Sequence, residues 1–387
     1  MIPRAASPTL ARMSAGFPVL VVTGPRQSGK TTLAQTSFPD KPYVSLENLN
    51  ERAFANEDPQ GFLGRYPVGA IIDEVQHVPA LFSFIQTRVD ASRRMGEFVL
   101  TGSQNFGLMA SVAQSLAGRA GIVQLLPFSL HELATAGRLS PSLDELLYRG
   151  LYPPLHDRPL DPAQWFGSYI LTYLERDLRQ LANVHDLGLF QRFIALCAAR
   201  TGQLLNLSAL AVDCGIGQST AKNWLDLLQA SYIVYLLRPH HRNFGKRLVK
   251  SPKLYFCDTG LAAALMNVQG VTHMAIHPAR PALFESLIVT EHLKRRYNAG
   301  LASNLFFWRD NVGHEVDLLL DEGELLRPIE IKSGQTVSGE HFDNLRTWQR
   351  YAGAAAGIPA LVYAGTDSHI RSGIQVVPWN APLPATA

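Results

Sequence analysis

The sequence predicts an α/β protein: a P-loop doubly wound parallel sheet, then a helical and winged-helix region, then a second, smaller α/β domain. Three observations carry this. An apolar, β-branched run over residues 19–23 leads into Gly24-Pro25-Arg26-Gln27-Ser28-Gly29-Lys30-Thr31 and on into helix-formers, the strand, glycine-rich loop and helix that a phosphate-binding loop requires. From residue 19 to about 127, short apolar runs alternate with helical patterns, the signature of a parallel sheet covered on both faces. Beyond about residue 282 the order becomes helix, three strands, helix, two strands, a compact α/β layer.

Length and composition set the frame. At 387 residues the chain is long enough for two or three domains, and 47% hydrophobic with 17% charged residues is an ordinary globular composition. A net charge of +3 restricts any nucleic-acid surface to a local patch. Cys197, Cys214 and Cys257 are odd in number and widely separated, which argues against a disulfide framework or a zinc site and for a cytoplasmic protein. No run of about 18 uninterrupted apolar residues occurs, so no membrane association is expected.

In the loop, Gly24 and Gly29 permit the backbone to turn its amides toward a phosphate chain, and the helix behind it presents a positive N-terminus to the same anion. Lys30 is placed to reach the β- and γ-phosphates and the Thr31 hydroxyl to ligate Mg²⁺, with Pro25, Arg26, Gln27, Ser28 and Thr32 completing the ATP contacts. The plain alternative is a glycine-rich turn with an accidental lysine.

Strands are expected at residues 19–23, 43–46, 70–72, 98–101 and 122–126. The third ends in Asp73-Glu74, at the edge where such sheets bind ligands. Asp73 is expected to hold Mg²⁺ through water, and Glu74 to act as the base for the attacking water. The fourth ends in Ser103-Gln104-Asn105, where Ser103 or Gln104 is favoured to sense the γ-phosphate; a polar strand-exit loop fits the same residues. Arg119 follows a helical stretch and can serve as an arginine finger toward a neighbouring subunit, or be a solvated helix-end arginine. Arg26 is a second candidate for that contact.

Residues 128–203 read as helices, a lid and connector, with the clearest amphipathic pattern over 165–181. Residues 205–258 run helix, glycine turn, helix, strand, an order that resembles a winged helix-turn-helix. Gln218, Ser219, Thr220, Lys222 and Asn223 would open its second helix, where amide and hydroxyl groups meet phosphates or base edges. After it, Arg238, Arg242, Lys246, Arg247, Lys250 and Lys253 follow with no acid among them, a basic hairpin suited to a nucleic-acid backbone. A purely architectural winged helix is the competing reading, because the motif does not distinguish the two.

In the last domain Asp317 and Glu330 fall on consecutive expected strands, with Lys332 on the face of Glu330. Two hard oxygen ligands and a lysine can hold Mg²⁺ and stabilise a pentavalent phosphate. Acids paired with neighbouring bases in a purely structural role are the alternative.

Gly24 to Leu33, Ile72-Asp73-Glu74-Val75-Gln76, Leu100-Thr101-Gly102-Ser103-Gln104 and Leu116-Ala117-Gly118-Arg119 resemble a prokaryotic AAA-type (AAA+) ATPase family whose members carry a C-terminal domain of unknown function. Leu126-Pro127-Phe128-Ser129, Tyr173-Leu174-Glu175-Arg176-Asp177, Lys250-Ser251-Pro252-Lys253-Leu254-Tyr255-Phe256-Cys257-Asp258-Thr259-Gly260-Leu261 and Ile329-Glu330-Ile331-Lys332-Ser333-Gly334 extend the likeness over nearly the whole chain. It implies ATP and Mg²⁺ as cofactors and a homo-oligomer, often a ring, and says little about the biological task. The final domain is similar to the restriction-endonuclease-like PD-(D/E)xK fold, which implies Glu285, Asp317, Glu330 and Lys332 as metal and catalytic residues. Val316 replaces the motif's leading proline, a residue without metal-binding or proton-transfer capacity. The expected domains are 1–128 (ATPase core), 129–204 (lid and connector), 205–270 (winged-helix-like) and 271–387 (nuclease-like). Three functions compete: ATP hydrolysis coupled to DNA, an ATP-gated nuclease, and a nucleotide-switched protein scaffold.

Overall fold

The computed structural model describes residues 2–103, 112, 114–173, 186–240 and 249–382. It divides into two compact units, residues 1–128 with 230–232 and 294–302, and residues 129–229, 233–293 and 303–387.

The first unit is built on five strands: β1 (Val19–Thr23), β2 (Tyr43–Ser45), β3 (Ile71–Asp73), β4 (Phe98–Gly102) and β5 (Ala120–Gln124). They pair in the order β2-β3-β4-β1-β5, every neighbour parallel. Each expected strand is present within a residue or two of its expected bounds. The alternation of side chains explains the double winding. Val19, Val21, Ile72 and Leu100 point into one core with Phe62, Phe82 and Ile85. Leu20, Val22, Ile71 and Val99 point into the other with Leu10, Leu33 and Ala34. The latter three belong to α1 (Ser7–Ser14) and α2 (Lys30–Ser37). Because all strands run the same way, the loops after β1, β3 and β4 emerge at one edge.

The second unit opens with short helices, Leu130–Thr135, Leu143–Arg149, Pro153–Asp157 and Pro162–Tyr169. The helix expected over 165–181 is present as far as it is described: α-helical to Tyr169 and π-helical at 170–173, with 174–181 outside the described residues. Then come Leu187–Ala198, Leu207–Cys214 and Gln218–Ala230. Asn206 caps the second of these, accepting from the Ala209 amide, and Gly215 ends it at φ 77°, a left-handed turn that suits glycine. Trp224 packs edge-on against Phe190 and Phe193, which ties the third helix to the first.

Among the described residues the unit's sheet has nine strands: β6 (Gln203–Leu204), β7 (Val234–Pro239), β8 (Lys253–Phe256), β9 (Leu305–Arg309), β10 (Glu315–Asp321), β11 (Leu326–Lys332), β12 (Ala360–Tyr363), β13 (His369–Arg371) and β14 (Ile374–Pro378), in the order β13-β14-β12-β11-β10-β9-β7-β8-β6. The strands after the helix-turn-helix thus continue the C-terminal sheet through parallel β7–β9 pairing at Arg238–Phe306 and Pro239–Phe307. The expected helix, three strands, helix, two strands are present as Arg280–Asn298, β9 to β11, Asp343–Ala352, β12 and β14, with β13 as an added edge strand. Trp308, Val316, Leu319, Leu345, Trp348 and Leu361 form its core. Among the described residues no helix is long and apolar enough to cross a membrane.

Candidate functional site: a phosphate loop and an acid cluster

The edge of the first sheet gathers the loop between β1 and α2 with the ends of β3 and β4. Gly24 sits at φ 157°, and a Cβ there would lie 2.1 Å from the Leu125 carbonyl oxygen, so no larger residue fits. Gly29 caps α2 in the left-handed region, φ 88°, leaving the first-turn amides of that helix without intrahelical acceptors. Ser28 Oγ is buried with no hydrogen-bond partner among the described residues. A cradle closed to side chains, free amides and an orphaned hydroxyl fit a bound phosphate.

Lys30 is buried, and its Nζ donates to the Pro25 carbonyl at 2.9 Å. Burial pulls its pKa down, against the opposing pull of Glu74 and Asp73. Thr31 Oγ1 donates to the Asp73 carboxylate at 3.0 Å, and Tyr43 donates to the same group at 2.9 Å. Thr101 is hydrogen-bonded to its other oxygen. Burial and the Asp73 charge push the Tyr43 hydroxyl up to about 12, so it remains a donor. A Thr31–Asp73 pair held by two further hydroxyls is a preformed oxygen set for Mg²⁺.

Glu74 lies beyond the strand end in the left-handed region, φ 53°. Its Oε2 accepts from Ser103 Oγ at 3.0 Å and is bonded by Gln76 Nε2. Burial would raise its pKa, but Lys30, Gln76 and Ser103 bring it below the usual value, so the side chain is an ionised acceptor. Of the two residues favoured after β4, Ser103 is in the site, and Gln104 lies outside the described residues. Pro25 is buried and Thr32 exposed; Arg26 pairs with Glu47 at 3.2 Å on the surface, and Gln27 is exposed at φ 63°.

Arg119 stands apart from this edge. It directly precedes β5, and its carbonyl accepts from the Val19 amide at the start of β1, so a strand length of about 16 Å separates it from the loop. Its guanidinium grips Asp90 from two nitrogens, the second at 2.8 Å. It can contact only phosphates other than those held by its own loop.

Sequence reasoning missed Tyr43 and Arg4. Arg4 donates to the carbonyls of Ser28 and Leu126, each at 2.6 Å, and covers the Phe128 ring. It thus clamps the loop from the N-terminal segment. Neither residue carries a local signal, because each reaches its partner only through the fold.

In the second unit, the helix Gln218–Ala230 exposes Gln218, Ser219, Lys222 and Asn223, with Thr220 half-buried. Lys222 pairs with Asp226 at 2.8 Å. Lys250 is exposed, whereas Arg242, Lys246 and Arg247 lie outside the described residues. Lys253 corrects the sequence reading. Its side chain is 5% exposed and embedded among acids, because β8 lies inside the sheet, so it is no part of a solvent-facing basic surface.

Those acids are the C-terminal cluster. The β10–β11 register, with Leu318 opposite Ile329, places Asp317 beside Glu330, and Asp317 Oδ2 accepts the Ile331 amide at 2.8 Å. A register shift in β10 between Val316 and Leu319 marks a bulge at this point. Lys332 lies 2.6 Å from Glu330 and 4.0 Å from Asp317. Glu285 is reached through Lys253, whose Nζ is 2.9 Å from it, contacts Glu315, and is 3.9 Å from Asp317. Burial and Asp317 raise Glu285; the same two causes carry Glu330 up to about 8 against the pull of Lys332. The structure therefore brings all four expected residues into one cluster and adds Lys253 and Glu315. Glu315 was findable, two residues before Asp317 on one strand; Lys253 was not. Among the described residues no group of three acid, histidine or cysteine side chains is placed to hold a metal ion.

Comparison with known proteins agrees with this layout. Residues 16–134 match the family model described as "AAA domain", and residues 140–272 and 280–381 match two domains of unknown function, DUF8612 and DUF4143. Among solved structures, the Walker-type ATPase PABY2304 of Pyrococcus abyssi is similar at 15% identity and a TM-score of 0.44, covering 68% of this chain and 96% of that one. The Thermotoga maritima RuvB Holliday junction branch migration motor is similar at 18% and 0.29, covering 60% and 88%. Such distant likenesses carry no argument about activity. Nearer in sequence are the proteins named "Uncharacterized protein Rv2008c" of Mycobacterium tuberculosis and "Uncharacterized protein Mb2031c" of Mycobacterium bovis, each 32% identical over 339 residues, 87% of this chain and 75% of the relative. The chain belongs to the family of these mycobacterial proteins, and its N-terminal unit is an AAA-type ATPase domain.

Proposed function

We propose that this protein hydrolyses ATP with Mg²⁺ and couples turnover to nucleic acid, DNA in the first instance, as a homo-oligomer. The observation that supports the ATPase half is the meeting of Thr31, Asp73 and Thr101 beside a loop closed to side chains at Gly24. The chemistry that Mg²⁺ would supply when bound is neutralisation of the charge developing on the phosphates. Thr31 and Asp73 would hold the ion, and the backbone amides at the start of α2, from Gly29 to Thr31, would hold the phosphates. Lys30 would exchange the Pro25 carbonyl for a phosphate oxygen. Glu74 would release Gln76 and Ser103 and take the proton of the attacking water at Oε2. A cleft of about 510 Å³ between α1 and α2, lined by Ile2, Pro3, Pro8 and Leu33, offers room for the base.

The nucleic-acid half rests on the second unit. Helix, glycine turn, helix and antiparallel strand pair follow one another in winged-helix order, and the second helix exposes Gln218, Ser219 and Lys222. The oligomer rests on Arg119, which stands away from its own loop and would act on a neighbour's phosphates. Metal-dependent cleavage is left out of the proposal, because a second lysine outside the motif, Lys253, stands against the acids that would ligate the metal.

The deciding measurement is ATP turnover across duplex, branched and single-stranded DNA and RNA, with Lys30→Ala as control. Stimulation by one class, lost in Lys30→Ala, is expected. Turnover indifferent to every nucleic acid, together with no mobility shift at low salt, would overturn the DNA half and favour a nucleotide-switched protein scaffold.

A further inference from the structure

We propose that Lys253 is the resident cation of the C-terminal acid cluster, so that the cluster excludes divalent metal and anchors strand β8 instead of cleaving phosphodiesters. The inference concerns the second unit alone and stands or falls apart from the ATPase reading.

Four carboxylates converge here from three elements: Glu285 on the helix Arg280–Asn298, Glu315 and Asp317 on β10, and Glu330 on β11. A bound Mg²⁺ would need one or two of these carboxylates at about 2.0–2.1 Å and room beside them for several waters. The Lys253 ammonium stands among three of them, 2.9 Å from Glu285 Oε1, in contact with Glu315 Oε1 and 3.9 Å from Asp317 Oδ1.

The remaining acceptors are largely taken. Glu285 Oε1 also accepts the Tyr255 hydroxyl. Arg309 binds the second oxygen of Glu315 at 3.0 Å. Asp317 Oδ2 accepts the Ile331 amide, and Lys332 lies against Glu330 Oε1. Glu330 Oε2 is buried without a hydrogen-bond partner among the described residues and Asp317 Oδ1 lies 3.9 Å from Lys253 Nζ, so a cation taken by these two oxygens would sit beside the Lys253 and Lys332 ammonium groups, which repel it.

Lys253 is also held in place. Its backbone pairs with Leu204 on one side and Leu237 on the other, and its ammonium lies 5.7 Å from the centre of the Phe307 ring. Burial opposes its charge, but Glu285, Asp317 and Glu315 outweigh that and lift its pKa above the usual lysine value. It remains an ammonium ion and places one positive charge among the acids. The acids therefore have a complete role without metal. They hold the strand at which the basic segment 238–253 ends.

The test is iron-directed backbone cleavage of the full chain, with Fe²⁺ and ascorbate and no nucleotide, mapped by mass spectrometry. Wild type and Lys253→Arg are expected to show no cut near residues 315–317. Lys253→Met should gain one, at least tenfold above wild type, and Asp317→Asn in the Lys253→Met background should remove it. An Asp317-dependent cut in the wild-type chain would overturn the proposal, as would a folded Lys253→Met that remains uncut. If Lys253→Met does not fold, the wild-type result decides against its Asp317→Asn partner. Supercoiled plasmid incubated with wild type and Mn²⁺ should remain intact; nicking abolished by Asp317→Asn would equally overturn the proposal.

Discussion

Asp73 shows how much one carboxylate is asked to organise. It takes hydroxyls from Thr31, Tyr43 and Thr101, which fixes its rotamer before any ligand arrives, and preorganisation of this kind lowers the cost of binding a hard cation. Glu74, one residue on, is held by Ser103 and Gln76 in an αL conformation that few non-glycine residues adopt. Two substitutions separate the roles of the loop and the base. Lys30→Ala should weaken ATP binding by tenfold or more in a fluorescent-nucleotide titration, whereas Glu74→Gln should bind normally and lose about 10²-fold or more in kcat. Full turnover by Glu74→Gln would remove its assignment as base. In the second unit, Glu330 has a raised pKa, about 8 against 4.5, caused by burial and Asp317. The folded state then binds more protons than the unfolded state across that window, so this group's stabilisation is present at low pH and is lost as pH climbs from about 4.5 to 8, at up to about 1.4 kcal/mol per pH unit. Thermal melts from pH 5 to 9 should show that fall, and Glu330→Gln should flatten it. Gly24, Lys30, Asp73 and Glu74 were legible in the sequence because their chemistry is local to a strand end and the turn after it. Tyr43, Arg4 and Lys253 were not, because each meets its partner only across strands.

At the scale of elements, the parallel direction of β1 to β5 sorts the candidate residues. The loops after β1, β3 and β4 share one edge and carry Lys30, Asp73, Glu74 and Ser103, while Arg119 precedes β5 and so belongs to the opposite edge. An arginine finger at that edge has to serve another protomer. Arg119→Ala should therefore bind ATP as wild type does but turn over at least tenfold more slowly. Mixing it with Lys30→Ala should restore activity, since each variant supplies what the other lacks; failure of mixing to rescue two folded, assembled variants would exclude the role. Strand bounds in the first unit were legible because β-branched runs end at turn residues. In the helix expected over 165–181 the change to π-helical geometry at 170–173 was not legible, because apolar periodicity does not register one widened turn.

For the whole molecule, the nine-stranded sheet matters most. Parallel pairing of β7 with β9 and the Lys253 contacts with Glu285 and Glu315 make the winged-helix-like segment and the C-terminal layer depend on one another. A fragment of residues 271–387 would expose the edge of β9 and leave four acids without Lys253. It should aggregate or lack a cooperative melt, whereas residues 129–387 should give a larger share of soluble, folded protein by circular dichroism; a stable, monomeric 271–387 would show that the layer folds without β7 and β8. The sequence by itself determined the phosphate loop, the acids of its site and the order of helices and strands, because these depend on the chemistry of neighbouring residues and on the alternation of apolar positions. Only the tertiary structure decided that Lys253 joins the acids instead of the basic hairpin and that Arg119 faces away from its own loop. The physical reason is strand pairing: it sets which distant side chains share a face and which edge of the sheet a loop leaves from, and neither quantity is contained in local pattern.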